Sequence, residues 1–273
     1  MLIQRLLVAA VGLPLLALLI LAPEPAFALV VIALLAYAAF ELMRAAEPSA
    51  PLTYGLSAAA TTALFVAITR TTPQVPLGLL VIVALATIAL LLWPASRLSA
   101  TLGGWWIGAV LYVGVLGAHF VLTRSFIYVN AVSGITRSTG SDWLLVLLAI
   151  TFATDTGAYA CGRLLGSHKL APAISPNKTV EGAIGGLAFG AAAAIAVPMQ
   201  LGVATSMPGP VLLAVVVPVA AMAGDLVESA LKRRLGVKDM SNLLPGHGGL
   251  LDRLDSLLLA GPCLYWIVRW LQA

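Results

Sequence analysis

Long uninterrupted apolar segments run through this 273-residue chain and constrain its fold more than any other feature. Hydrophobic residues make up 61% of the sequence and charged residues only 10%, against roughly a quarter charged in an ordinary soluble domain. This number of charged residues is too small to form the surface of a water-soluble fold of this length. Most of the exterior must therefore face lipid. The same composition excludes intrinsic disorder, and the continuous apolar runs are unlike the alternating pattern of an outer-membrane barrel.

Apolar runs on the scale of the about 20 residues that a helix needs to cross a bilayer occur about nine times, and the third is short enough to be re-entrant or tilted. Proline, glycine and charged residues separate them. The sequence therefore predicts an all-α, polytopic transmembrane protein with about nine membrane-spanning helices. The runs are centred on residues 5–22, 26–43, 55–69, 76–94, 104–123, 143–162, 182–202, 210–232 and 256–272.

The basic residues are distributed unevenly between the predicted loops. If the amino terminus lies inside the cell, eleven of the 15 basic residues fall on the cytoplasmic side, and only Arg70, Arg124, Arg137 and Arg269 fall outside. The positive-inside rule therefore predicts a multi-pass protein of the inner (plasma) membrane with a cytoplasmic amino terminus. The net charge of +4 then reflects orientation in the membrane and does not indicate nucleic acid binding.

The first apolar run has a second interpretation. Arg5, the run itself and the small residues Ala26-Phe27-Ala28 together resemble a signal peptide with its cleavage site. Because another apolar segment follows at once, we expect the first run to stay as a transmembrane helix.

Charged residues are concentrated in the second half of the chain. Of the 15 basic and 11 acidic residues, eight and seven lie between Asp155 and Asp255. We therefore predict two regions: an amino-terminal transmembrane scaffold, residues 1–140, and a carboxyl-terminal transmembrane catalytic region, residues 141–273, whose polar site faces the cytoplasm.

Asp225 lies in the run 215–231, which otherwise has the character of a membrane span, and Glu228, Ser229 and Lys232 follow it on the same helical face. An ionisable residue inside a membrane span is costly and by default faces a functional cavity. The structural alternative is an ion pair at the end of the helix. We assign that alternative to Glu228 and Lys232, which have the favourable spacing, but not to Asp225.

Asp252 and Asp255 repeat this pattern on the first turn of the last predicted helix, where a carboxylate also suits the helix dipole. Capping alone explains one of them but not both. The preceding Pro245-Gly246-His247-Gly248-Gly249 is a tight turn of the kind that lets a phosphate approach backbone N–H groups. On this feature alone His247 is as consistent with a polar turn residue as with a catalytic acid or base.

A second polar segment lies upstream. Asp155 is an acid inside an apolar run, and we expect it to face the same cavity as Asp225. In the stretch Ser175-Pro176-Asn177-Lys178-Thr179-Val180-Glu181-Gly182, the serine or the asparagine suits a helix cap and the glutamate suits the first turn. Capping and substrate binding are compatible roles for this segment.

Two other features receive structural roles. Glu41 and Arg44 have the i, i+3 spacing of an ion pair at the membrane interface. The glycines between Gly182 and Gly190 predict close helix packing and not a nucleotide-binding loop.

Carboxylates that converge from different helices make a hard oxygen site suited to Mg²⁺, and neighbouring Lys and Arg side chains suit polyphosphate. This combination favours phosphoryl or nucleotidyl transfer. An ion-coupled transporter is the competing class, although a carrier has no evident use for clustered basic pairs and a glycine-histidine turn on one side.

The motif itself is specific. Ser229-Ala230-Leu231-Lys232-Arg233, Lys238-Asp239, the glycine-histidine turn and Asp252-Arg253-Leu254-Asp255 together resemble, without departure, the signature of the phosphatidate cytidylyltransferases, or CDP-diacylglycerol synthases. The upstream segments at Asp155 and Ser175 resemble the same family. The resemblance implies an integral membrane homodimer that makes CDP-diacylglycerol and pyrophosphate from CTP and phosphatidic acid, with Mg²⁺ and a monovalent cation such as K⁺.

We predict that Asp225, Asp252 and Asp255 hold the metal and that Asp225 and Asp252 act in catalysis with Lys232 and Arg233. Substrate contacts are predicted for Asp155, Ser175, Asn177, Lys178, Ser229, Lys238, Asp239, His247 and Arg253. The sequence does not decide which basic cluster holds CTP and which the lipid phosphate. The alternative enzymes are a polyprenol or phytol kinase and an archaeal-type lipid cytidylyltransferase.

Overall fold

The computed structural model describes residues 2–71, 100–129, 136–203, 205–243 and 248–272. Most of them lie in helices, as the apolar sequence predicts. In chain order the helices are α1 (Leu2–Leu21), α2 (Glu24–Ala46), α3 (Leu52–Thr71), α4 (Ala100–Ala109), α5 (Leu116–Arg124), α6 (Gly140–Leu165), α7 (Val180–Leu201), α8 (Gly209–Leu235) and α9 (Leu251–Leu271). A π-helical segment, Val110–Val115, joins α4 to α5.

In the described part of the chain, two short antiparallel hairpins interrupt the helices, and the all-α prediction did not include them. β1 (Ile127–Val129) pairs with β2 (Thr136–Ser138) between α5 and α6. β3 (Lys169–Ala171) pairs with β4 (Ser175–Thr179) between α6 and α7. Strand pairing satisfies backbone N–H and C=O groups where the chain leaves its helices.

Seven helices in the described part of the chain are long and apolar enough to cross a membrane, as expected of an integral membrane protein. They are α2, α3, the continuous helix Leu102–Arg124, α6, α7, α8 and α9. These match seven of the predicted segments. α1 covers the first predicted segment but is not among the seven, and the fourth, 76–94, lies outside the described residues, so the count of about nine is not confirmed.

The chain divides into two compact units. Unit 1 contains Met1–Leu122 and Val237–Arg253, and unit 2 contains Thr123–Gly236 and Leu254–Ala273. The middle of the motif therefore packs with the amino-terminal helices. The functional division at residue 140 stays a prediction.

In unit 1, α2 and α3 pack side by side. Leu35, Leu42 and Val66 are buried in this core, where close van der Waals packing holds membrane helices together. At one end of the pair, Arg70 Nε and Nη2 donate to the two carboxylate oxygens of Glu24 at 2.7 and 2.6 Å. This bidentate ion pair joins the end of α3 to the start of α2.

The prediction of an ion pair between Glu41 and Arg44 is wrong. Arg44 donates instead to the carbonyl oxygens of Pro48 and Ala50, at 2.9 and 2.8 Å. The last turn of a helix and the residues after it leave carbonyl groups unpaired, and a guanidinium satisfies them well. Glu41 is buried and accepts its hydrogen bonds from the segment before α9 and from the first residue of that helix.

In unit 2, α6 and α7 pack antiparallel through small residues. The buried face of α7 carries Gly182, Gly185, Gly186 and Gly190. A Cβ at Gly185 would meet the side chain of Cys161, and a Cβ at Gly186 would lie 2.9 Å from the carbonyl oxygen of Thr154. Since only glycine allows two helix backbones to approach so closely, the prediction of close helix packing is confirmed.

The β3–β4 hairpin is attached to the start of α7 by Glu181. Its carboxylate accepts hydrogen bonds from the backbone N–H groups of Ser167 and His168, at 3.1 and 3.2 Å. His168 Nδ1 also lies 2.6 Å from Glu181 Oε1. One acidic side chain therefore fixes where the hairpin leaves α6 and where α7 begins.

The helix cap predicted in this segment is present, but a different residue supplies it. Thr179 Oγ1 accepts a hydrogen bond from the backbone N–H of Gly182 at 3.1 Å and caps α7. The proposed caps Ser175 and Asn177 lie in β4 instead, because the strand extends as far as Thr179 before the helix begins.

Candidate active site

A cavity of about 490 Å³ lies inside unit 2, bounded by α6, α7, α8 and the β3–β4 hairpin. Four predicted site residues line it: Asp155, Asn177, Lys178 and Asp225. Asp155 and Asp225 thus share one cavity, as the sequence predicts. The rest of the wall is largely apolar, with side chains such as those of Leu170, Met222 and Leu226. Acidic and basic side chains therefore line a mainly hydrophobic cavity.

Lys178 and Asp225 form an ion pair in this cavity. Lys178 Nζ lies 2.7 Å from Asp225 Oδ2, and both side chains are about two-thirds or more buried. The contact is an ion pair, because its angles do not meet those of a hydrogen bond. Ser229, one turn further along α8, donates its hydroxyl to Asp225 Oδ1 at 3.4 Å. An unpaired carboxylate within a span is costly, so these partners explain how α8 accommodates Asp225.

Asp255 lies near Asp225 on the neighbouring helix but is not among the residues that line the cavity. α9 approaches α8 at Gly224, where a Cβ would meet the backbone carbonyl of Asp255. This approach places Asp255 on the helix that faces the residue next to Asp225. Ser256 donates its N–H and its hydroxyl to Asp255 Oδ1 at 2.6 and 3.2 Å. The structure thus brings together two of the three predicted metal ligands.

Lys232 is held in place by a buried acid. Its Nζ lies 2.9 Å from Glu228 Oε2, and Glu228 is completely buried. The predicted ion pair between these residues is confirmed. A buried carboxylate requires a charged or hydrogen-bonding partner. The ion pair with Glu228 therefore fixes the position of the Lys232 ammonium group.

Arg233, predicted to act in catalysis, makes a backbone contact. Its Nε donates to the carbonyl oxygen of Ile174 at 3.1 Å, in the loop of the β3–β4 hairpin. The contact ties the end of α8 to the hairpin that forms one wall of the cavity. A catalytic role for Arg233 stays a prediction.

In unit 1, Asp252 organises the segment that precedes α9. It is 5% exposed, and its Oδ2 accepts hydrogen bonds from the N–H groups of Met240 at 2.9 Å and Gly249 at 2.8 Å. The side chain reaches back to an N–H just before the helix, as the acid of a capping box does. Capping therefore accounts for Asp252, and its role as a metal ligand stays a prediction.

Lys238, Asp239 and Arg253 are exposed, Ser175 is half-buried in β4 and does not line the cavity, and His247 lies outside the described residues. Gly248 has a φ of +80° and, with a Cβ, would approach Asp252 Oδ2 to 2.8 Å. Glycine is therefore required at this point of the turn.

Glu41 in α2 is the residue that sequence reasoning missed. It is 2% exposed and accepts hydrogen bonds from Ser241 Oγ at 2.5 Å, Leu250 N at 3.1 Å and Leu251 N at 2.9 Å. An acid inside a long apolar helix is the same signal that selected Asp225, and it would have selected Glu41 if applied to the first half of the chain.

Among the residues that the structure describes, no three His, Cys, Asp or Glu side chains cluster into a metal site. Mg²⁺, however, is commonly bound by one or two carboxylates, with substrate phosphates and water completing its coordination. Asp225 and Asp255 match that donor set, since they are two carboxylates on helices that approach each other at Gly224. These residues therefore fit Mg²⁺ bound together with a phosphate substrate.

Comparison with known proteins agrees with the motif. The model of the "Cytidylyltransferase family" matches residues 3–271. The chain belongs to the cytidylyltransferase family. Within this family, it is 42% identical over 156 residues to the phosphatidate cytidylyltransferase of Staphylococcus haemolyticus, covering 57% of this chain and 55% of that protein.

Two other family members give similar values. The phosphatidate cytidylyltransferase of Bacillus subtilis is 40% identical over 164 residues, which cover 59% of this chain and 56% of that protein. The Staphylococcus aureus protein of the same name is 47% identical over 131 residues, which cover 47% of this chain and 50% of that protein. The chain thus spans about half the length of the curated relatives it matches.

Proposed function

We propose that this family member transfers a cytidylyl group from CTP to phosphatidic acid, giving CDP-diacylglycerol and pyrophosphate. The observation that carries the proposal is the cavity of unit 2, where Lys178 and Asp225 form an ion pair within a mainly apolar wall. This combination of a charged pair and an apolar wall suits a lipid with a phosphate headgroup. The relatives named phosphatidate cytidylyltransferase support the same reaction.

The reaction requires no covalent enzyme intermediate. A phosphate oxygen of the lipid attacks the α-phosphorus of CTP, the bond from that phosphorus to the bridging oxygen of the β-phosphate breaks, and pyrophosphate leaves. Because the attacking phosphate is already ionised, the reaction has little need of a general base. Lys178 and Lys232 offset the negative charge of the two substrates and orient their phosphates.

Asp225 and Asp255 are the proposed ligands of Mg²⁺, which when bound supplies charge neutralisation on the triphosphate. Asp252 remains a predicted ligand. K⁺ as a second cation and a homodimer are also part of the proposal and rest on the motif. A cytoplasmic-facing site in the inner membrane rests on the distribution of basic residues.

Incubation of the purified full chain with labelled CTP, phosphatidic acid and Mg²⁺ tests the proposal. We expect a CDP-lipid and pyrophosphate in equal amounts. CDP together with a phosphorylated alcohol, when a polyprenol or phytol is supplied, would instead indicate a kinase. No consumption of CTP would overturn the proposal and favour the transporter class.

A further inference from the structure

We propose that Glu41 is a positioning residue, which holds the turn before α9 in the geometry that its motif residues need. The proposal rests on the proposed function, because the motif residues of this turn, Asp252 foremost, are predicted to serve that reaction. Glu41 lies in the region predicted to be scaffold, and the ion pair expected with Arg44 is not formed.

Glu41 contacts the segment around this turn through both of its carboxylate oxygens. Its Oε1 accepts from Ser241 Oγ at 2.5 Å and from Leu250 N at 3.1 Å, and its Oε2 accepts from Leu251 N at 2.9 Å. Leu251 is the first residue of α9, so these N–H groups are among those that a helix cannot satisfy internally. A carboxylate from another helix thus supplies the cap of α9.

The charge of Glu41 suits this place. A buried carboxylate is stable only with several donors, and three of them surround Glu41. The amino-terminal end of a helix also carries partial positive charge and favours an anion. Gly249 leaves the necessary room, because a Cβ there would lie 2.9 and 3.0 Å from the two carboxylate oxygens of Glu41.

Glu41 and Asp252 accept from different N–H groups of the described residues around this turn. Glu41 takes those of Leu250 and Leu251, while Asp252 takes those of Met240 and Gly249. Loss of Glu41 would leave two N–H groups without their acceptor directly beside the backbone of Asp252. The orientation of the Asp252 carboxylate therefore depends on Glu41.

Glu41→Gln tests the proposal, since it keeps the shape of the side chain and removes its charge. Glu24→Gln is the matched control, because it removes an acid from the other end of the same helix, where the partner is Arg70. We expect Glu41→Gln to lower kcat at least about tenfold, the effect of weakening a hydrogen bond to a charged group. The control should keep the kcat of the unaltered protein.

Hydrogen exchange separates positioning from a purely structural role. Peptides covering residues 248–252 should exchange faster in Glu41→Gln, while peptides from α6 and α7 and the Tm in detergent stay as in the control. Gly249→Ala approaches the same contact from the other side and should also lower kcat. A Glu41→Gln protein with unaltered kcat and unaltered exchange would overturn the proposal.

The two proposals fail in different ways. If the unaltered chain forms no CDP-lipid, the proposed function is wrong, and the exchange experiment still decides whether Glu41 holds the turn. If the unaltered chain is active and Glu41→Gln loses activity only in proportion to a lowered Tm, Glu41 is structural and the positioning role is wrong.

Discussion

Lys178 Nζ lies 2.7 Å from Asp225 Oδ2 and so joins the β3–β4 hairpin to the middle of the membrane helix α8. Each residue balances the charge of the other in a mainly apolar cavity. In the proposed reaction both partners have other ligands, since Lys178 would bind a substrate phosphate and Asp225 would bind Mg²⁺. Binding of substrate and metal would therefore replace this internal ion pair with two new charge pairs.

Asp225→Asn should lower turnover by at least about a hundredfold, because it removes the charge on which a carboxylate ligand of Mg²⁺ depends. CDP-lipid formation in detergent measures the effect, and size-exclusion chromatography checks that the protein stays folded. Glu47→Gln, an acid in the loop after α2, is the control and should keep full activity. Normal Mg²⁺-dependent turnover in Asp225→Asn would contradict the assignment.

Lys178→Ala should raise the KM of one substrate about tenfold or more, since a lysine–phosphate contact is a charge-assisted hydrogen bond. Separate titrations of CTP and phosphatidic acid show which substrate is affected, and thus which phosphate Lys178 binds. Lys169→Ala is the matched control, because Lys169 belongs to the same hairpin, is exposed and does not line the cavity. Identical KM values in both variants would rule out a phosphate contact at Lys178.

Asp255→Asn should raise the Mg²⁺ concentration for half-maximal activity about tenfold or more, because one of two carboxylates in the proposed site is lost. A titration of activity with Mg²⁺ at fixed CTP measures the shift. EDTA should abolish activity, and excess Mg²⁺ should restore it. If the titration curves of Asp255→Asn and the unaltered protein coincide, Asp255 does not bind the metal.

Arg233→Ala should loosen the β3–β4 hairpin, because it removes the donor to the Ile174 carbonyl. Limited proteolysis should then cut within residues 169–179 faster than in the unaltered protein. A large loss of kcat without faster cleavage would contradict the anchoring role and support the catalytic role predicted from the motif.

Gly185→Ala should destabilise the protein by about 1–3 kcal/mol, the usual effect of overpacking a close contact. Its Cβ would meet the side chain of Cys161. Gly108→Ala is the control, since nothing lies within 4 Å of its Cβ position. The Tm in detergent should fall for the first variant and stay equal or rise for the second; equal effects would mean that α6 can move away from α7.

Much of the fold follows from local patterns in the sequence. Apolar length predicts seven of the membrane helices, and the glycines of α7 predict its close packing against α6. Helical spacing predicts the ion pair of Glu228 with Lys232, and an acid in an apolar run predicts that Asp155 and Asp225 share a cavity. Each of these correct predictions uses either the spacing of residues along one helix or the free-energy cost of burying a charge.

Contacts between distant segments were harder to predict. Glu41 has an apparent partner in Arg44 one turn away, and nothing local indicates that three donors near residue 250 compete for it. Likewise, the motif places Arg233 beside Lys232 without showing that it reaches the backbone at Ile174. In both cases tertiary packing decides between several partners that are equally acceptable by spacing.

The position of Glu41 also has a consequence for the biosynthesis of the protein. Ser241 and Leu251 are translated 200 and 210 residues after Glu41, so α2 enters the membrane before its carboxylate has acquired these donors. Glu41 lies near the end of α2, from which a side chain can reach water at the membrane surface while it waits. The Glu41 carboxylate therefore lacks these donors in the nascent chain. Unit 1 becomes complete only after the segment before α9 has been translated.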